Sequence, residues 1–169
     1  TFITHYDCMQ EQLQALRNYF DTGATRGYAF RRQQLQKLKQ AIEAHEQAIY
    51  DALYADLKKS KEECWVTENG IVLTELRHAI NELKAWMEPQ RVRTNLLNLP
   101  SSSRIVSEPL GVVLIIAPWN YPFQLLINPL IGAIAAGNCV VLKPSEHAPA
   151  TEKVMQQIIE SVFDKNYIW

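Results

Sequence analysis

Residues 109–146 read PLGVVLIIAPWNYPFQLLINPLIGAIAAGNCVVLKPSE, and this stretch constrains the fold more than any other. Two continuous apolar runs, residues 112–116 and 139–142, flank an Ala-, Gly- and Leu-rich segment over residues 122–137. Unbroken apolarity, as opposed to alternation, belongs to strands covered on both faces. A helix-length apolar segment between two such runs predicts a strand–helix–strand unit, the seed of a parallel sheet. Polar handles gather where each run ends: Trp119, Asn120 and Tyr121 after the first, Lys143, Ser145 and Glu146 after the second. In open α/β sheets that carboxyl edge is where ligands bind.

Ahead of this unit the periodicity is helical. Leu13, Leu16 and Phe20 predict a short amphipathic helix over residues 9–20, closed by a turn at Thr22-Gly23, with Thr25 placed to cap the next helix. That second helix carries Leu35, Leu38, Ile42, Ile49, Leu53 and Leu57 on one stripe and leaves Arg31, Arg32, Lys37, Lys39 and Glu43 for a solvated face. A third starts near Lys61, with Trp65, Val72, Leu76, Ala79, Leu83 and Trp86 at three- and four-residue steps, and stops before Pro89. Gly70 within it costs about 1 kcal/mol relative to Ala, so an irregular or tightly packed turn is expected there. Residues 89–108 are rich in Arg, Thr, Asn, Pro and Ser and predict a linker or extended excursion with a short strand over residues 104–107. After the strand–helix–strand unit, Val154, Met155, Ile158, Ile159 and Val162 share one face of a last helix over residues 151–163. The two helical stripes also admit a helical interaction module, but they are wide and carry bulky aromatics, as a globular core requires and a narrow coiled-coil seam does not. Two parallel strands leave both edges open, so the chain reads as the front portion of a larger α/β protein.

The composition narrows the function classes. At 169 residues the chain can bury a core without staples. Lys and Arg total 17 against 18 acidic residues, which gives no electrostatic footprint for nucleic acid or an anionic membrane. Cys8, Cys64 and Cys139 are odd in number and far apart, and His5, His45, His78 and His147 show no ligand spacing, so neither a disulfide framework nor a metal site is expected. A reducing, cytoplasmic setting follows as the expectation, and Pro118 interrupts the longest apolar run well short of a membrane span.

The chemistry lies at the two strand ends. No GxGxxG and no Walker pattern follows the first strand. Asn120 stands between Pro118 and Pro122, either capping the helix entered through Pro122 or turning its amide to the cleft to donate to an oxygen that gains charge. Lys143 and Glu146 form either a surface ion pair, with Ser145 or Thr151 as helix cap, or a pair that meets ribose hydroxyls. Cys139, inside an apolar strand, reads as a small hydrophobe and not as a nucleophile.

PLGVVLIIAPWNYPF followed at fixed spacing by GAIAAGNCVVLKPSE resembles the aldehyde dehydrogenase superfamily, and the NYPF form with its short helical arm is most similar to the class 3 and fatty-aldehyde branch. The resemblance covers essentially the whole chain and the front third of such an enzyme. It implies an incomplete aldehyde dehydrogenase fold of the α/β class: a helical arm over residues 1–88, the start of the strands used for subunit pairing over 89–108, and the first βαβ of a Rossmann-like, NAD(P)-binding domain over 109–169. It further implies oxidation of an aldehyde to its acid through a cysteine thiohemiacetal, with NAD, or NADP, as hydride acceptor and a homodimer as the assembly. The family's oxyanion-holding asparagine maps onto Asn120 and its ribose-binding pair onto Lys143 and Glu146. The backbone of Ala117, Pro118 and Trp119 would line the nicotinamide, and Tyr121 would face the substrate entrance. No cysteine here matches the nucleophile's context, and the expected nucleophile, glutamate base and GSTxxG loop lie beyond Trp169. The chain alone is therefore expected to be inactive, and its rival reading is a non-catalytic binding protein built on the same piece of fold.

Overall fold

The computed structural model describes the backbone of residues 2–169 and the side chains of residues 8–169. Helix α1 (Phe2–Asp21) is longer than its apolar spacing suggests. A 3-10 turn at Ala24–Arg26 then leads to α2 (Tyr28–Ala44), which starts from Gly27, so Thr25 is a buried turn residue and not its cap. The single long helix expected next is two helices. α2 ends at His45, whose ring Nδ1–H donates to the Ala41 carbonyl at 2.8 Å, and α3 (Glu46–Leu57) resumes from there. Lys58 closes α3 in the left-handed region at φ 57° and redirects the chain inward at Lys59.

The irregularity expected at Gly70 is a five-residue π turn, Trp65–Asn69, between α4 (Lys61–Cys64) and α5 (Gly70–Met87). Gly70 makes it possible by close approach: a Cβ there would lie 2.5 Å from the Trp65 carbonyl oxygen. The wide turn resets which residues face inward. Cys64, Glu68, Asn69, Val72, Leu73 and Leu76 are buried, whereas Trp65 and Trp86, expected on the stripe, are exposed.

Strands β1 (Gln90–Val92) and β2 (Ser103–Ile105) pair antiparallel, so the excursion is a ribbon whose second strand begins one residue before the expected segment. β3 (Val112–Ile116) and β4 (Cys139–Lys143) run parallel, in register from Val112↔Cys139 to Ile116↔Lys143. Their crossover, α6 (Pro122–Ala136), packs on both strands. On the far side of β4, Ile168 bridges Val140, so the sheet continues past β4 in the same parallel sense. β3 is the outer strand among the described residues, and Leu114 and Ile116 remain 59% and 67% exposed, against the two-sided burial that the sequence suggests. α7 (Pro149–Val162) completes the helices and packs against α3 and α2.

One core runs through both halves of the chain: Leu35, Leu38 and Ile42 of α2 and Leu76 and Leu83 of α5 join Phe123, Ile127 and Leu130 of α6 and Ile158 of α7. Arg31, expected in solvent, is buried within it. Its Nε donates to the Thr25 carbonyl at 3.0 Å and its Nη1 to the Ala135 carbonyl at 3.1 Å. Burial lowers its pKa, but a guanidinium stays charged in water at any ordinary pH. The cation thus sits at the carboxyl end of α6, where carbonyls lack helical partners and the macrodipole is negative. Gly137, at φ 88°, both ends α6 in the left-handed region and leaves room, since a Cβ would lie 2.6 Å from the guanidinium carbon.

Gly70 supports a prediction whose sign separates propensity from packing. Helix propensity alone makes Gly70→Ala stabilising by about 1 kcal/mol. The approach of the Trp65 carbonyl makes it destabilising instead, by about 1–3 kcal/mol of overpacking, read from the urea midpoint.

Candidate functional site

The two polar clusters of the sequence meet at the carboxyl edge of β3 and β4. The Ala117 N–H donates to the Lys143 carbonyl at 3.1 Å, which ties the turn over residues 117–121 to the turn that carries Glu146. Ala117 is buried, and Pro118, Trp119 and Asn120 are exposed beyond it. Asn120 does not cap α6: the cap position belongs to Tyr121, whose side chain makes no capping bond. The fold holds Asn120 by its backbone, through a 3.0 Å hydrogen bond from Lys59 Nζ to its carbonyl. The side-chain amide is left at the surface of the edge. At the end of β4, Lys143 Nζ lies 2.6 Å from Glu146 Oε2, both side chains well exposed. That hydrogen bond from the ammonium pulls the Glu146 carboxyl down to about 2, so it stays an ionised acceptor throughout the physiological range. Neither Ser145 nor Thr151 caps α7. The Ser145 hydroxyl oxygen accepts from the His147 N–H, and the Thr151 hydroxyl donates to Asp56.

Both helix N-termini at this edge are capped instead by carboxylates reaching over from the helical arm. Glu68 Oε2 accepts from the N–H groups of Phe123 and Gln124 at 3.0 and 2.9 Å. The Asp56 oxygens accept from the N–H groups of Ala150 and Thr151 at 3.1 and 2.8 Å. Each helix opens with proline at its first position, and the preceding Tyr121 and Ala148 have no short polar side chain for the donors. An acid from elsewhere in the fold satisfies them and complements the positive dipole end. The seats that could take a phosphate are therefore filled by protein, which accords with the absence of a Gly-rich fingerprint after β3.

Glu68 is itself paired. Its Oε1 lies 2.6 Å from Lys59 Nζ, with the two side chains 0% and 8% exposed, and the same ammonium stands 4.0 Å from the centroid of the half-exposed Tyr121 ring. Sequence reasoning missed Asp56, Lys59 and Glu68. A signal existed for the acids: Asp56 lies three residues after Leu53, and Glu68 lies midway between Cys64 and Val72, positions that continue apolar stripes. A carboxylate on a core-facing stripe requires a partner.

The thiols offer no nucleophile at this edge. Cys139 and Cys64 are buried, and desolvation pushes the Cys139 thiol up to about 11 and raises that of Cys64. Cys8 is exposed on α1. Among the described residues no three His, Cys, Asp or Glu side chains gather as a metal site requires, and the His5 side chain lies outside them.

Two measurements test this geometry. Removing Glu68 leaves Lys59 buried without its counter-charge, so Glu68→Ala is expected to lose about 3–5 kcal/mol, whereas Asp56→Ala loses a cap alone, about 1–2 kcal/mol, both read by urea unfolding. Alkylation at pH 8 followed by peptide mass spectrometry is expected to label Cys8 within minutes and to reach Cys64 and Cys139 only in denaturant.

The sequence matches the aldehyde dehydrogenase family over residues 5–167. It is 48% identical over 153 residues to aldehyde dehydrogenase family 3 member H1 of Arabidopsis thaliana, covering 90% of this chain and 32% of that protein. The substrate-bound structure of Staphylococcus aureus AldH superposes with a TM-score of 0.93 at 46% identity, covering 95% of this chain and 35% of the other. A betaine aldehyde dehydrogenase of Staphylococcus aureus, solved in complex with NAD+, superposes with a TM-score of 0.80 at 26% identity over 95% and 32% of the two chains. The chain spans about a third of the length of the curated relatives it matches. Sequence motifs, the family match over residues 5–167 and a partial aldehyde dehydrogenase fold lead to one conclusion: this chain belongs to the aldehyde dehydrogenase family.

Proposed function

We propose that this chain is the front part of an NAD(P)-dependent aldehyde dehydrogenase and that Asn120 is its oxyanion donor. The observation that carries the reading is the unengaged amide of Asn120. Glu68 has taken over the capping of α6, and Lys59 holds the turn by its carbonyl, so the NH2 stands exposed at the carboxyl edge of the sheet. Such an amide can donate to an aldehyde oxygen as charge builds on it during thiol attack. The division follows the sequence: a helical arm over residues 1–88, a pairing excursion over 89–108 and the start of the coenzyme domain over 109–169.

A nicotinamide cofactor, when bound, supplies the hydride acceptor. Lys143 and Glu146 suit its ribose hydroxyls, with the ionised Glu146 as acceptor, and the backbone of Ala117, Pro118 and Trp119 would line the nicotinamide side. A carboxylate at that place opposes a 2′-phosphate and favours NAD, and the adjacent Lys143 leaves room for NADP. Tyr121, with its half-exposed ring, faces the substrate entrance. The β1–β2 ribbon carries exposed Val92, Leu96, Leu97 and Ile105, which supports burial against a second copy in a homodimer. No helix among those described is long and apolar enough to cross a membrane, and three unpaired thiols fit a reducing, cytoplasmic compartment. The reacting thiol is none of Cys8, Cys64 and Cys139, so the 169 residues by themselves release no NADH.

In the full-length protein, Asn120→Ala is expected to slow acylation by about 10²- to 10³-fold in single-turnover kinetics with the aldehyde. An unchanged acylation rate would falsify the assignment. The rival, a non-catalytic binding protein, requires instead that the full-length protein form no NADH from any aldehyde.

A further inference from the structure

The Lys59 ammonium is held by three groups. Its Nζ donates to Glu68 Oε1 at 2.6 Å and to the Asn120 carbonyl at 3.0 Å, and it stands 4.0 Å from the Tyr121 ring centroid. The other oxygen of Glu68 holds the N–H groups of Phe123 and Gln124. One buried ion pair therefore grips the chain on both sides of Pro122: the cation before it, the carboxylate after it.

The fully buried Glu68 needs a counter-charge, as the partly buried Asp56, which caps α7 with no lysine or arginine paired to it among the described residues, does not. Glu68 does not need a cation that also donates to a backbone carbonyl, as Lys59 does. Nor does stability explain the pair, because a buried ion pair is commonly matched or bettered by apolar residues of similar volume. What an apolar residue cannot do is hold a carbonyl oxygen in one place. The carbonyl held here is that of Asn120, and fixing its peptide plane fixes the origin of the side-chain amide.

We propose that Lys59, anchored by Glu68, is a positioning residue that sets the direction of the Asn120 amide toward the developing oxyanion. This rests on the reading of Asn120 given above. Lys59 touches no reacting atom and acts through the backbone it holds.

The test uses the full-length protein and the acylation rate per active site, which a loss of folded enzyme does not change. Lys59→Met alone strands Glu68 as an uncompensated charge, so the variant measured is Lys59→Met with Glu68→Gln, which removes both charges and keeps an amide oxygen for the α6 donors. Its acylation is expected to fall about tenfold, with the KM for NAD unchanged, as misplacement of a reacting group does. Lys59→Gln with Glu68→Gln, which also removes both charges but returns a neutral donor at position 59, is expected to retain more of the rate than the Met-containing pair. In an Asn120→Ala background the Met-containing pair is expected to cause no further loss, since its effect passes through that amide. The proposal is overturned if Asn120→Ala slows the enzyme while the pair does not, or if the two losses multiply when combined. A normal rate in Asn120→Ala itself removes the underlying reading, and that result is told apart by the single variant alone.

Discussion

The contact between the Lys59–Glu68 pair and the start of α6 is the constraint on which the rest depends. With Pro122 at the first position of α6, the N–H groups of Phe123 and Gln124 must find acceptors, and the Tyr121 side chain does not supply one. The acceptor comes from a π turn more than fifty residues earlier in the chain. Because that acceptor is a buried carboxylate, it requires a cation, and because the cation is a lysine with donors to spare, the Asn120 carbonyl is drawn in as well. A single desolvated charge thereby joins the helical arm, the crossover helix and the turn at the sheet edge.

The same logic operates at the other helix ends. Asp56 meets the start of α7 and Arg31 the end of α6, so α6 has a carboxylate from the arm at its positive end and a guanidinium from the arm at its negative end. The arm is thus more than an apolar cover for α6 and α7, since its charges define where those helices begin and stop. With the caps provided remotely, the loop residues at the carboxyl edge of the sheet are released from structural duty. Asn120 and the Lys143–Glu146 pair are exposed at that edge.

The elements with a strong local signal were legible. Strands β3 and β4, the crossover between them and α7 follow from apolar runs and periodicity, and Gly70 marks an irregular turn in advance. The placement of Lys143 beside Glu146 is equally local, three residues apart across Pro144. What escaped was everything that depends on partners distant in sequence. Arg31 reads as one more basic residue on a polar face until the Ala135 carbonyl is seen beside it. Thr25 reads as a cap until Gly27 is found in that place. Trp65 sits at helical spacing with the core stripe, yet the π turn, worth a single residue of offset, rotates that stripe onto Cys64 and Glu68.

By itself, then, the sequence determined the class of fold, the order of its elements and the family, because hydrophobic period and short motifs are properties of neighbouring residues. It determined as well which side chains stand at the ends of β3 and β4. Only the tertiary structure decided what each of them is free to do. Whether Asn120 caps a helix or offers its amide turns on the presence of a competing acceptor, and that acceptor is Glu68, brought there by packing between α5 and α6. Electrostatic and hydrogen-bond satisfaction is settled by distance in space, and burial makes it binding by removing water as the alternative partner.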